Sequence, residues 1–407
     1  MEIYQVGGAV RDRLLGRPVE DRDWVVVGAT PEDLIALGYR QVGRDFPVFL
    51  HPQTHEEYAL ARTERKQGVG YRGFEFATTE VTLEQDLARR DLTINAIAED
   101  HDGNLIDPYD GRRDLAEGIL RHVTAAFSED PLRVLRVARF AARFDYRVAS
   151  ETLALMRTMS TTGELATLAP ERVWRELQRA LCERYPARFI EVLRSCGALG
   201  AIFPSLDRLF GIPQPAKHHP EIDTGVHMLL ALSESARVGG STTVRFAVLL
   251  HDLGKAETAS NVLPSHPGHE ERGAQLVGNF CAHFRVPVAV RDLAVLVARY
   301  HVKIHRALEL RPSTLVALLE DLDAFRRPNR IDDILLACQC DALGRGFGIP
   351  ESYPQAPYLR AVLDAARAVD AQEIVSAGLE GGAVKVALHK ARIAAVTAQV
   401  KRIRNVR

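Results

Sequence analysis

Asp21 and Asp23 stand two residues apart at the start of an apolar run, EDRDWVVVG (20–28). In a strand, that spacing points both side chains to one face. Carboxylates so close repel each other unless a cation lies between them. Such a pair suits Mg²⁺ ions that hold a nucleoside triphosphate for in-line attack. The competing reading is a polar strand end whose acids pair with Arg11 or Arg22. Glu57, in HEEYALAR (55–62), is either a third ligand from a later strand or an exposed edge acid. Upstream, GGAVRDRLLG (7–16) sets a glycine pair before an amphipathic helix. Glycines such as Gly8 let backbone N–H groups approach a phosphate at a helix N-terminus, where Arg11 would clamp it. A plain turn would use the same glycines.

A second constellation is SEDPLRVLRVARFAARF (128–144), with Glu129 and Asp130 ahead of Arg133, Arg136, Arg139 and Arg143. Spacings of three, three and four put the arginines on one helical face. A row of like charges repels itself, so it calls for an anion or a ligand. An exposed, salt-bridged helix is the alternative.

A third lies in HDLGK (251–255). Adjacent His251 and Asp252 can ligate one metal only where the backbone turns them together. His227, His269, His301 and Asp341 are further donors along the same half of the chain. A metal bound there would lower the pKa of a water to make a nucleophile, with Lys255 steadying a phosphate. Histidine donors suit softer divalent ions as well as Mg²⁺. Without convergence, these are scattered surface and core histidines.

The elements that must carry these residues change character along the chain. Over the first hundred residues EIYQV, DWVVVG, VFLHP, EYALA and NLIDP read as strands broken by turn signals. ATPEDLIALG (29–38) predicts a helix with Thr30 as N-cap, Pro31 first and Gly38 as terminator. Beyond Arg121 the pattern is helical to the end. FGIPQPAKHHPEIDTG (210–225), rich in Pro and Gly, reads as a linker.

Composition bounds the rest. The 407 residues allow two to four domains; 46% are hydrophobic and 26% charged, with a net charge of −1. Arg121 to Arg194 holds 13 Arg and no Lys against 9 acids, a local balance of +4. An all-arginine basic set suits forked contacts to phosphate and base edges. Five cysteines without a CxxC pair argue against a disulfide framework or structural zinc and fit a reducing cytoplasm. The N-terminus shows no basic-then-apolar leader, and no apolar run is long enough to span a bilayer, so a cytoplasmic protein without a membrane partner is expected.

GG…RD, the DxD strand and RRDLTINAIA (89–98), in that order, resemble the nucleotidyltransferase superfamily that includes DNA polymerase β. Within it, the likeness is to the class II tRNA nucleotidyltransferase and bacterial poly(A) polymerase branch. The resemblance implies an α+β protein: a polymerase-β-like head with a mixed sheet, an all-α neck and body, and an all-α HD domain. It implies a head at 1–120, a neck and body at 121–209, a linker at 210–225, an HD domain at 226–345 and a helical tail at 346–407. Asp21 and Asp23 would hold Mg²⁺, with Glu57 as an added ligand. Gly8, Arg11 and Arg90 would contact ATP or CTP. RTERKQGVGYRGF (62–74) matches the position of the family's flexible loop. The EDxxR motif, here Glu129, Asp130 and Arg133, would serve as a protein template that reads bases, with Arg136 and Arg139 holding the nucleotide. TLAPERVWRELQRAL (167–181) resembles the next helical motif, where Glu171 and Arg172 would brace the reader helix. The set His227, His251, Asp252 and Asp341, with Lys255, His269 and His301, resembles the HD superfamily of metal-dependent phosphohydrolases, with nickel among the candidate ions. The implied activity is addition and repair of the CCA end of tRNA from CTP and ATP by a monomer or homodimer, alongside phosphatase, 2′-nucleotidase and 2′,3′-cyclic phosphodiesterase activities. A poly(A) polymerase and a protein-modifying nucleotidyltransferase with an HD domain are the competing readings.

Overall fold

The structure, a computed structural model, describes residues 1–406 except 20–21, 43–47, 67–73, 78–79, 218–219, 346–351 and 373–380. Asp21 and the centre of the 62–74 segment therefore lie outside the described residues. Internal contacts divide the chain into two compact units, Met1–Phe203 and Pro204–Arg407.

The first unit opens with β1 (Glu2–Val6), α1 (Gly8–Leu14), β2 (Asp23–Val27), β3 (Arg40–Val42), β4 (Val48–Leu50) and β5 (Glu57–Leu60). A hairpin of β6 (Thr63–Lys66) and β7 (Phe74–Ala77) follows, then α2 (Leu83–Ala88), β8 (Ala98–Glu99) and β9 (Leu105–Ile106). The strands form a mixed sheet ordered β3-β4-β5-β2-β1-β8-β9. β2 runs antiparallel to β1 and parallel to β5. DWVVV is continuously apolar because both faces of its strand are covered. Val25 packs with Val6, Leu87 and Ala96 on one side, and Val26 with Leu34, Phe49 and Leu60 on the other. Each such buried side chain contributes about 1.5–3 kcal/mol. Asp23, two residues before Val25, opens on the Val25 face. The helix Pro31–Ala36 forms as its sequence predicts, with Thr30 accepting from Asp33 N and Gly38 at φ +86° just past its end.

Beyond residue 121 the first unit is helical, apart from the short pairing of Ile119–Leu120 with Arg147–Val148. Its centre is α3 (Leu132–Phe144), whose Val134, Leu135, Val137, Ala138 and Ala141 are fully buried. α3 packs against α4 (Pro170–Cys182) and the helix Pro186–Ser195.

Among the described residues the second unit is helical apart from turns and one isolated bridge, Pro213 with Asp223. Its site-bearing elements are α5 (Thr224–Arg237), α6 (Thr242–Leu250), α7 (His269–His283), α8 (Val288–His305), α9 (Arg330–Leu343) and α10 (Gln355–Arg367). Asp223 caps α5 by accepting from Val226 N, and Ser241 caps α6 through Val244 N. The described part of 210–225, read from its Pro and Gly as a linker, is folded onto this unit. The buried Gln214 accepts from Lys255 Nζ at 2.6 Å, and His266 Nε2 lies 3.0 Å from Pro213 O. Pro and Gly mark tight turns as readily as linkers, and here the turns are packed. Among the described residues no helix is long and apolar enough to cross a membrane.

Candidate active sites

The register of the sheet assembles the first site. Val6 pairs with Asp23, and Asp23 pairs with Glu57. The Gly7–Gly8 turn, Asp23 and Glu57 therefore meet at one end of three neighbouring interior strands. Gly7 has φ +69°, and a Cβ there would lie 2.9 Å from Arg90 Nη1, so the turn needs glycine at that position. Gly8 is less constrained, since its Cβ would make ordinary contact with Arg11. A cleft of about 770 Å³ opens here. Gly8, Arg11, Asp23, Arg90, Asp130, Arg133, Arg136, Arg139 and Arg172 all line it, whereas Glu57, Glu129 and Glu171 do not.

The arginines of the cleft are held by acids, amides and carbonyls, most of them on other elements. Arg11 is buried over the Phe140 and Phe144 rings, donating Nε to Asp12 at 2.9 Å and Nη1 to Asn95 Oδ1 at 2.5 Å. Burial lowers its pKa, against the opposing pull of Asp12. Asp86, fully buried, accepts from Arg89 Nη2 (2.6 Å), Arg90 Nη2 (3.2 Å) and Arg62 N (3.3 Å). Arg136 donates Nε to Asp91 at 2.7 Å, and Arg139 donates Nε to the buried Glu176 at 2.7 Å. Arg143 reaches Asp12 at 2.9 Å. Burial would raise the Asp91 pKa, but Arg136 and Asn95 hold it below the usual carboxylate range. Arg133 donates Nη1 to Ala126 O (2.7 Å) and Nη2 to Arg89 O (2.6 Å). Asp130 accepts from Leu132 N at 3.0 Å and from Arg172 Nη2 at 3.3 Å. Sequence reasoning missed Asp12, Asp86, Asp91, Asn95 and Glu176. Asp86 carried a local signal, standing three and four residues before Arg89 and Arg90, as did Asp12 beside Arg11.

The second site lies wholly within the second unit. α6 ends at His251, and the chain turns so that His251 Nε2 lies 3.2 Å from Asp252 Oδ2. Asp341 Oδ1, from α9, lies 3.0 Å from His227 Nε2 and 3.6 Å from His251 Nε2. Asp252 Oδ1 faces the other way, 3.6 Å from His269 Nε2 and 3.5 Å from His301 Nε2. Two donor triads result, His227/His251/Asp341 and Asp252/His269/His301, each with its ligand atoms within 4.8 Å of one another. All four histidines have Nδ1 engaged on the outer side. His251 Nδ1 meets Val248 O (2.7 Å), His269 Nδ1 meets His266 O (2.8 Å), His301 Nδ1 meets Val297 O (3.1 Å) and His227 Nδ1 meets Glu221 (2.9 Å). Since those oxygens accept, Nδ1 carries the proton and Nε2 is left as the inward lone pair. The buried His251 Nε2 and Asp252 Oδ1 have no hydrogen-bond partner. Mixed imidazole and carboxylate donors of this kind fit a divalent ion.

The clustered carboxylates and imidazoles shift one another strongly. Burial alone would lower His251, yet Asp252 and Asp341 raise it to about 10. Burial lowers His269 to about 4, against the pull of Asp252. Asp252 and Asp341 are held well below the carboxylate range despite burial, chiefly by His251. Lys255 Nζ reaches Asp252 Oδ2 at 2.7 Å and Gln214 Oε1 at 2.6 Å. A cavity of about 530 Å³, lined by Lys255, His266, Arg306 and Tyr353 among others, opens beside the donors. Glu221, Gln214 and His305 were missed from sequence. For His305 a signal existed, because it stands four residues after His301 on one helix.

Comparison with known proteins agrees with both halves. The family profile described as Poly A polymerase head domain matches residues 3–121, Probable RNA and SrmB-binding site of polymerase A matches 145–210, and HD domain matches 224–328. The multifunctional CCA protein of Nitrosococcus oceani is 61% identical over 397 residues, covering 97% of this chain and 98% of that one. That of Alkalilimnicola ehrlichii is 62% identical over 402 residues, covering 98% and 97%. Among solved structures, a Bacillus stearothermophilus CCA-adding enzyme in complex with CTP aligns with TM-score 0.65 at 25% identity over 98% of this chain and 89% of that one. Fold and relatives together define a nucleotidyltransferase with a poly(A)-polymerase-type head and an appended HD domain. The chain belongs to the multifunctional CCA protein family.

Proposed function

We propose that the first unit adds C, C and A to tRNA 3′ ends from CTP and ATP, choosing each base with side chains. The observation that carries this reading is the single cleft shared by Asp23, Arg90, Asp130 and the arginines of α3. Asp21, Asp23 and Glu57 would hold Mg²⁺, which when bound supplies charge neutralisation for attack of the tRNA 3′-hydroxyl on the α-phosphate, releasing pyrophosphate. Gly8, Arg11, Arg90, Arg136 and Arg139 surround the nucleotide. Cytosine and adenine each carry an exocyclic amine beside an unprotonated ring nitrogen. Asp130 accepts from the amine, and Arg133 donates to the ring nitrogen. Uracil and guanine would set a carbonyl oxygen against Asp130, acceptor to acceptor. Glu129 and Glu171 flank this helix pair, and Arg172 braces Asp130. The arginine-rich helical region to residue 209 would receive the acceptor stem, by phosphate and shape. The protein acts in the cytoplasm.

In the second unit, the HD segment 226–345 would be a metal-dependent phosphohydrolase with phosphatase, 2′-nucleotidase and 2′,3′-cyclic phosphodiesterase activity. His227, His251, Asp252 and Asp341 would hold one divalent ion, nickel being a candidate, and Asp252 with His269 and His301 a second. The ion supplies an activated water when bound. Lys255 steadies the phosphate. The deciding experiment gives the protein tRNA lacking CCA with each triphosphate singly and together, then sequences the 3′ ends. CCA from the mixture is expected, and long tails from ATP alone would reject the reading. In parallel, His251→Ala should abolish phosphohydrolysis and leave CCA addition intact.

A further inference from the structure

The carboxylate of Asp341 is shared between two sides. Its Oδ1 faces His227 and His251, and its Oδ2 lies 2.6 Å from Nε2 of His305. The other ring nitrogen of His305, Nδ1, lies 2.9 Å from the hydroxyl of Tyr353, and the two rings meet edge-on at 5.7 Å. Gln355 Nε2 donates to the backbone carbonyl of His305 at 2.9 Å. His305 ends α8, Asp341 lies near the end of α9, and Tyr353 precedes α10, so the chain of contacts links three elements. An ionised carboxylate only accepts, so Nε2 carries the proton that reaches Asp341, and Nδ1 of the neutral ring accepts from the Tyr353 hydroxyl. Each member then has one role available. Tyr353 is 7% exposed and His305 is set within the wall of the cavity beside the donors.

We propose that His305 and Tyr353 are positioning residues for the metal site: Tyr353 fixes the His305 tautomer, and His305 holds Asp341 with Oδ1 turned to the ion. This rests on the reading of the His227/His251/Asp341 set as a metal site. Partners of this kind orient a ligand and preserve its basicity, and their loss costs about 10–100-fold in affinity.

The test titrates Co²⁺ into chelator-stripped full-length protein and follows the visible absorption of the bound ion. His305→Ala is expected to weaken binding about 10–100-fold. His305→Gln, which keeps an N–H donor on a planar group, should recover most of the loss, and Tyr353→Phe should weaken binding by a smaller factor. CCA addition by the same preparations should be unchanged, which shows that the variants are folded in the first unit. Wild-type affinity in His305→Ala overturns the inference while leaving the metal site standing. Equal loss in the Gln and Ala variants overturns it too, since that result means direct ligation by His305. Wild-type protein binding no more Co²⁺ than His251→Ala overturns the metal-site reading itself, and the inference with it.

Discussion

Nη2 of Arg172, on α4, lies 3.3 Å from Oδ2 of Asp130, at the entrance of α3. The contact restrains the acid proposed to face the base, while its Oδ1 is held by Leu132 N. Asp130→Ala removes the acceptor for the base amine. Discrimination of CTP and ATP against UTP and GTP should fall by about 1–3 kcal/mol, or roughly 5- to 150-fold. Arg172→Ala leaves the acceptor but not its restraint, so selectivity should fall less, with KM rising for all four nucleotides. Steady-state kcat/KM for each triphosphate, on tRNA lacking CCA for the C steps and on tRNA ending in CC for the A step, measures both. Unchanged selectivity in Asp130→Ala would remove Asp130 from base choice.

Glu57 is an exposed acid, yet the parallel register sets it opposite Asp23 on the neighbouring strand. If the two share an ion, Glu57→Gln should lower kcat for nucleotide addition by roughly 10²-fold or more, because several kcal/mol of charge stabilisation are lost. Thermal stability should stay within about 0.5 kcal/mol of the parent, as for other surface changes. A raised Mg²⁺ midpoint with an unaltered melting curve would identify the role. Full activity at low Mg²⁺ would reduce Glu57 to an edge acid.

Much of this was legible in the sequence wherever the cause is local. Thr30 and Pro31 announce their helix because a cap needs a side-chain acceptor three residues before its donor. DWVVV and EYAL announce strands by alternation and apolar content. The row of arginines on α3 was legible as a face, but its partners were not. Asp91, Glu176 and Asp12 lie 45, 37 and 131 residues from the arginines they hold. Nothing within a helical turn of Arg139 encodes Glu176. The same holds for the donors of the second unit, whose two triads form only because five elements converge. Residues 210–225 were ambiguous because their composition fits both a linker and a set of packed turns.

Asp91 makes a prediction about pH. Its folded-state pKa is depressed by Arg136 and Asn95 against the effect of burial. A depressed carboxylate stabilises fully above its unfolded value of about 3.9 and loses that contribution as pH falls through the folded value. Asp91→Asn should cost about 1.5–3 kcal/mol at pH 7, the worth of a hydrogen bond to a charged group. The gap between variant and parent should stay constant above about pH 5 and close below about pH 4. Both tryptophans, Trp24 and Trp174, lie in the first unit, so their fluorescence during urea unfolding isolates the relevant transition. A gap that persists into acid would mean that Asp91 stabilises by shape and not by charge.

Gly254 sits in the turn after the His251–Asp252 pair, pressed against the first turn of α7. A Cβ at this position would lie 2.0 Å from His269 O and 2.6 Å from Gly273 N. Both obstacles are backbone, so Gly254→Ala must push the start of α7 away. The displaced residue is His269, whose Nε2 lies 3.6 Å from Asp252 Oδ1. Overpacking of this kind costs about 1–3 kcal/mol, and here the cost falls on the second unit alone. The variant should therefore unfold that unit earlier, leave the tryptophan-reported transition unmoved and keep CCA addition. Within the folded variant, the Asp252/His269/His301 triad should lose affinity before the His227/His251/Asp341 triad, because only the former contains a residue of α7. Co²⁺ titration read beside differential scanning calorimetry separates the two effects. Unchanged stability together with two unaltered binding steps would show that the turn relaxes around the added methyl, and that Gly254 does not set the geometry of the site.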